Sequence, residues 1–163
     1  MSRTQLLMHI PVAILLSASL GYAQETVPLS AGEFNRIDRS HWASGTASVV
    51  ETAHSDGLSV IFEDGFKSAA GPDLRVVLSP NANPKRGKDL GEYTELGLLR
   101  ETAGAQSYEI PADVSADAIG SVVIYCKKFD FIFSIATLSP TESSEDMGSD
   151  EEAESVGHTE SDG

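Results

Sequence analysis

Seven short apolar runs constrain this chain more than any other feature: residues 45–51, 58–62 (LSVIF), 74–79 (LRVVLS), 93–99, 106–110 (QSYEI), 121–126 (SVVIYC) and 129–138. Most are rich in β-branched or aromatic residues, and turn chemistry separates them. His54-Ser55-Asp56-Gly57 contains the Asp-Gly pair of a tight hairpin, and Gly71-Pro72-Asp73 precedes the third run. Runs of this kind predict an all-β domain, a single antiparallel β-sandwich over residues 28–139. Only 111–119 offers a helical turn. A domain of this size holds a core without disulfides.

Parity within the runs predicts their faces, because successive side chains on a strand point to opposite sides. Val122, Ile124 and Cys126 share one face, with Val123, Tyr125 and Lys127 on the other. In the last run Phe129, Phe131, Phe133 and Ile135 are expected on one face, with Ile132, Ala136 and Leu138 opposite. Apolar residues on both faces predict central strands covered from each side, or strands that cross between sheets. The segment 80–89 (PNANPKRGKD) is expected to be a long exposed loop carrying Lys85, Arg86 and Lys88.

The two ends have different compositions. Residues 1–23 have the pattern of a secretory signal peptide: Arg3, an apolar stretch densest over 10–16, then Gly21-Tyr22-Ala23 with small residues where a signal peptidase reads. Cleavage is expected near Ala23, giving a periplasmic or secreted protein without a stable membrane anchor. The apolar stretch is interrupted and shorter than a bilayer span requires. Residues 140–163 carry nine acids, no Lys or Arg and no aromatic residue. Such a segment buries too little apolar area to offset chain entropy, so a disordered acidic C-terminal tail is expected.

The chain carries 25 Asp and Glu against 11 Lys and Arg, a net charge of −14. That balance argues against nucleic acid as the main partner, since it requires a basic surface. Much of the acidity belongs to the tail. The sequence holds no His-Glu-x-x-His zinc motif, no Gly-x-Ser-x-Gly elbow, no P-loop and no Cys-x-x-Cys-His haem attachment site. A blue-copper ligand set is also poor, because Met147 and His158 lie in the tail. A classical enzyme is therefore not expected.

Cys126 is the only cysteine. Exported proteins usually pair their cysteines, so a lone thiol there is either buried or used. Its parity with Val122 and Ile124 favours burial as a small hydrophobe. Lys127 and Lys128 follow directly, and nearby cations favour a reactive thiolate, although Lys127 points to the opposite face. His41 and His54 are the other soft ligands of the domain. Cys126 with His41 makes a haem or metal site only if the fold brings them together.

The strings GPDLRVVLS (71–79), QSYEIP (106–111) and SVVIYCKKF (121–129) resemble the DM-thirteen domain, also called the electron-transfer DM domain. His41-Trp42-Ala43-Ser44-Gly45-Thr46 and the segment 64–66 match its earlier landmarks, so the resemblance covers about residues 33–138. It implies a compact extracellular or periplasmic β-sandwich. That domain occurs alone in bacteria and beside haem- or metal-sensing DOMON domains in animals. The family's suggested role is electron transfer through a characteristic cysteine, as a naked thiol or as a ligand to a prosthetic group. That cysteine corresponds to Cys126. Two departures are Tyr125, where the family usually has Trp, and Gly65, which splits a common Asp-Phe pair.

Two functions are thus expected. One is an exported redox or electron-transfer module acting through Cys126, with a redox partner. The other is a non-enzymatic binding or adhesion module for an envelope or extracellular protein, with Cys126 a buried core residue.

Overall fold

The computed structural model describes residues 28–52 and 57–141. The signal segment, His54 with the tip of its turn, and nearly all of the acidic tail lie outside the described residues. Eleven strands are described: β1 (Pro28–Arg36), β2 (Ala43–Ser44), β3 (Thr46–Glu51), β4 (Leu58–Phe62), β5 (Lys67–Ser68), β6 (Leu74–Ser79), β7 (Thr94–Leu98), β8 (Gln106–Ile110), β9 (Ser121–Cys126), β10 (Phe131–Thr137) and β11 (Ser139–Pro140). Their pairings are antiparallel. Among the described residues there is no α-helix, and residues 111–119 contain only a short 3-10 turn, Ala116–Ala118.

One path of strands runs β7-β6-β9-β10-β1-β3-β4-β8, with β11 also on β1 and a separate small pair β2-β5. The strand β1 is the corner of the sandwich. Its first part pairs with β3, and its last residues, Phe34, Asn35 and Arg36, pair with β10. The path folds back so that its two end strands approach. There the Arg100 backbone N–H donates to Tyr108 Oη at 3.1 Å, and the Arg100 guanidinium donates to the Ser107 carbonyl at 2.8 Å.

The core lies between the two halves. Ala47, Val49, Val60, Phe62, Tyr108 and Ile110 from one half meet Leu74, Val76, Leu78, Val122, Ile124, Cys126 and Phe133 from the other. A second cluster covers the outer face of β6, β9 and β10: Val77, Leu90, Val123, Tyr125, Ile132 and Ile135. This cluster explains why β9 is apolar on both faces. The strand is buried at every residue, flanked by β6 and β10.

Three sequence expectations need correction. Ile135 does not share a face with Phe133. A β-bulge between Ile132 and Ser134 inserts a residue and inverts the alternation, so Ile135 joins Ile132 while Ala136 joins Phe133. Phe129 belongs to a 3-10 turn (Lys127–Phe129) and is exposed, not a strand residue. The loop 80–89 is also more than an exposed excursion. Pro84 and the following Leu90 are buried, and Leu90 roofs the second cluster. Hydrogen bonds pin this cover: Ser79 Oγ to the Leu90 carbonyl (2.9 Å), Ser121 Oγ to the Asn81 carbonyl (2.7 Å) and Thr137 Oγ1 to the Ala82 carbonyl (2.7 Å). Its charged side chains remain outside. Lys85 donates to Asn83 and Arg86 pairs with Asp89.

Candidate functional site

Strand alternation carries Cys126 inward at the end of β9. Its register partners are Leu74 on β6 and Phe131 on β10, and the residue is 0% exposed within the main core cluster. The ladder continues one residue further, where the Lys127 N–H donates to the Asp73 carbonyl at 3.0 Å.

The two lysines that follow do not activate the thiol by contact. Lys127 Nζ donates to Glu95 Oε2 at 2.8 Å. The other oxygen of Glu95 takes the Arg75 guanidinium at 2.8 Å, and Arg75 also binds Asp73 at 2.7 Å. Glu95 is the register partner of Val77, whose side chain belongs to the outer cluster. Lys127 is thus engaged on the face opposite the sulfur. Lys128 is exposed and lies 5.6 Å from the Phe129 ring centre.

This ion-pair cluster has a pH signature. The Lys127 hydrogen bond, reinforced by the charges of Lys127 and Arg75, holds the Glu95 carboxyl below its usual value, with partial burial opposing. A folded-state pKa below the unfolded one stabilises the fold above the unfolded pKa. That contribution disappears as pH falls through the folded value. Glu95→Gln should therefore lower the thermal midpoint modestly at neutral pH, and the difference from wild type should shrink below about pH 4.5. A pH-independent difference in midpoint would contradict this account.

His41 is held in the turn after β1. Its backbone N–H and that of Ser40 donate to Asp38 Oδ1, and its Nδ1 lies 2.8 Å from Asp38 Oδ2. The His41 side-chain contacts come first among the causes that hold the Asp38 carboxyl below its usual value. The imidazole packs against Phe131 at 4.2 Å and Phe133 at 4.7 Å between ring centres. Phe131 is also the register partner of Cys126 on β10. Among the described residues, no group of three or more His, Cys, Asp and Glu could hold a metal ion. The three described cavities are lined by other residues than Cys126 and His41. Cys126 is fully buried in the main core, so a haem or metal ligand there would require this packing to open.

Tyr125, on the opposite face of β9, has the more polar setting. Its ring is buried in the outer cluster, and its phenol donates to Asp130 Oδ1 at 2.6 Å. Burial first, then this carboxylate, raise the phenol far above its ordinary pKa. Asp130 closes the β9–β10 turn in the left-handed region, with φ 52°. Asp tolerates that region better than most residues. Gly87 of the covering loop sits against the pair. A Cβ there would overlap Asp130 Oδ1 and lie 3.1 Å from Tyr125 Oη. The Tyr93 ring, 36% exposed, lies 6.1 Å from that of Tyr125. Sequence reasoning noted Tyr125 but not Asp130. The available signal was the tight spacing Tyr-Cys-Lys-Lys-Phe-Asp across a hairpin.

The family model described as Electron transfer DM13 matches residues 33–138, from within β1 to just past β10. No curated protein and no solved structure matches the chain.

Proposed function

Since the chain belongs to the electron transfer DM13 family, we propose that it is an exported, non-enzymatic module that passes single electrons to and from a redox partner, with Cys126 a relay inside the core. The observation that carries the electron-transfer reading is the family match over residues 33–138, and the complete burial of the sole cysteine in β9 limits how the thiol can serve it. Thiol–disulfide exchange requires a thiolate that another sulfur can reach, and a buried thiol in apolar surroundings is inert. An electron can tunnel between donor and acceptor past a buried, polarisable sulfur that couples them, without residing on it. Cys126 then influences the electron's route while no bond to sulfur changes. The secretory pattern of residues 1–23 supports export.

The test uses the mature chain from Gln24 and photogenerated tris(bipyridyl)ruthenium(III) as a one-electron oxidant. Alkylation of Cys126 by iodoacetamide is expected only at the rate of unfolding. The folded chain is expected to reduce the oxidant and to be restored by ascorbate over repeated cycles. Cys126→Val should slow the oxidation severalfold while retaining the fold. Irreversible damage in the first cycle would overturn the electron-transfer reading. Equal rates for wild type and Cys126→Val would overturn the relay.

The packing of Cys126 among Val122, Ile124 and Leu74 favours a second reading, in which it is only a core residue of a binding module. In that case Lys85→Glu or Lys88→Glu weakens capture of an envelope or extracellular protein, and Cys126→Val changes nothing but stability.

A further inference from the structure

We propose that Tyr125, with Asp130 as its proton acceptor, is a one-electron redox site of this module. The inference rests on the electron-transfer reading and assigns the electron to a residue other than the cysteine. Oxidising a phenol at moderate potential requires its proton to leave with the electron. Here the proton has a single short path, the 2.6 Å bond from Tyr125 Oη to Asp130 Oδ1. The Tyr125 O–H bond breaks and an O–H bond forms on Asp130. One electron passes to an outer-sphere oxidant, such as the metal centre of a docked redox protein. A neutral tyrosyl radical and a protonated carboxyl remain. The return of an electron from a one-electron reductant drives the proton back.

Three features of the surroundings support this assignment. The ring is 7% exposed, which shields a radical from solvent and from coupling with a second chain. The phenol is held protonated by burial and by the neighbouring carboxylate, so a phenolate route is closed and the proton must move at the moment of oxidation. Gly87 leaves no space for a side chain over the shared proton, and the half-exposed Tyr93 ring gives a step towards the surface. The apolar face of β9 required only a ring here. The hydroxyl and its acceptor are what packing does not explain.

The mature chain is oxidised with photogenerated tris(bipyridyl)ruthenium(III), followed by electron paramagnetic resonance of the frozen product and by the oxidation rate in light and heavy water. Wild type is expected to give a tyrosyl signal and a solvent isotope effect. Tyr125→Phe keeps the ring and should lose that signal. Asp130→Asn keeps the shape and should slow tyrosine oxidation by at least about tenfold, as loss of a positioned base does. Cys126→Val should retain the tyrosyl signal. A radical that is unchanged in Tyr125→Phe, resting on Trp42, Tyr93 or Tyr108, would overturn this site while leaving the electron-transfer reading intact. Irreversible damage to the wild type would overturn both. An oxidation rate unaffected by Asp130→Asn would remove Asp130 as the acceptor and overturn the pair.

Discussion

Replacing Phe62 with alanine is expected to cost about 3–5 kcal/mol of folding stability, the range for emptying a buried aromatic site. Phe62 is 0% exposed on β4 and lies at the centre of a ring cluster. Phe34 meets it edge-on at 5.1 Å, Phe66 at 4.6 Å and Tyr108 at 5.6 Å between ring centres. Removing the ring loses transfer free energy and contacts to all three neighbours. The cavity collapses poorly, because Tyr108 is fixed on the neighbouring strand β8 and Phe34 on β1, beyond β3. A domain with a total stability of roughly 5–15 kcal/mol would retain only a fraction of its margin. Urea titration should show a lower midpoint with an unchanged slope. A loss below about 1 kcal/mol would contradict the assigned packing. Tyr108 should respond as well, since its hydroxyl donates to Gln106 and accepts from the Arg100 N–H.

The second large effect is expected at Gly32. Here β1 passes from its pairing with β3 and β11 towards β10, and its backbone lies against the Thr137 carbonyl. A Cβ on Gly32 would overlap that oxygen and crowd the carbonyl carbons of Thr137 and Ala136. These are main-chain atoms committed to sheet pairing, so no side chain can swing aside. Gly32→Ala is therefore expected to destabilise by about 3 kcal/mol or more, the upper range of overpacking costs. Gly65 provides the control, because a Cβ there meets nothing within 4 Å. Gly65→Ala should fall within about 0.5 kcal/mol of wild type. Similar midpoints for the two variants would show that the corner is looser than described.

These variants also separate stability from electron transfer. Phe62 and Gly32 lie away from the Tyr125–Asp130 pair, so any surviving folded fraction should keep its tyrosyl chemistry. Tyr125→Phe should do the opposite, keeping the fold and losing the radical.

Much of this architecture was legible from local pattern. The runs 58–62, 74–79, 106–110 and 121–126 form strands over those same residues, because β-branched and aromatic side chains bounded by turn residues favour one backbone state. Strand period 2 placed Cys126 beside Val122 and Ile124, where it is buried. Pattern failed where partners rather than composition decide. The strand β1 carries Gly, Asn and Glu with a single buried side chain, Phe34, and its extended state comes from pairing on both sides. One bulge in β10 was enough to exchange the faces of Ile135 and Ala136.

The all-β class, the main strands and the inward direction of the lone thiol each follow from propensity and alternation within a few residues of the chain. What surrounds them comes from the packing of distant segments in the folded chain. That packing closed the core over Cys126, drew Lys127 to Glu95, folded Leu90 across the outer face and brought the Tyr125 hydroxyl to Asp130 beneath Gly87. The first three depend on strands distant in sequence. The last depends on a four-residue turn whose shape the loop above it completes, information that no single run of residues contains.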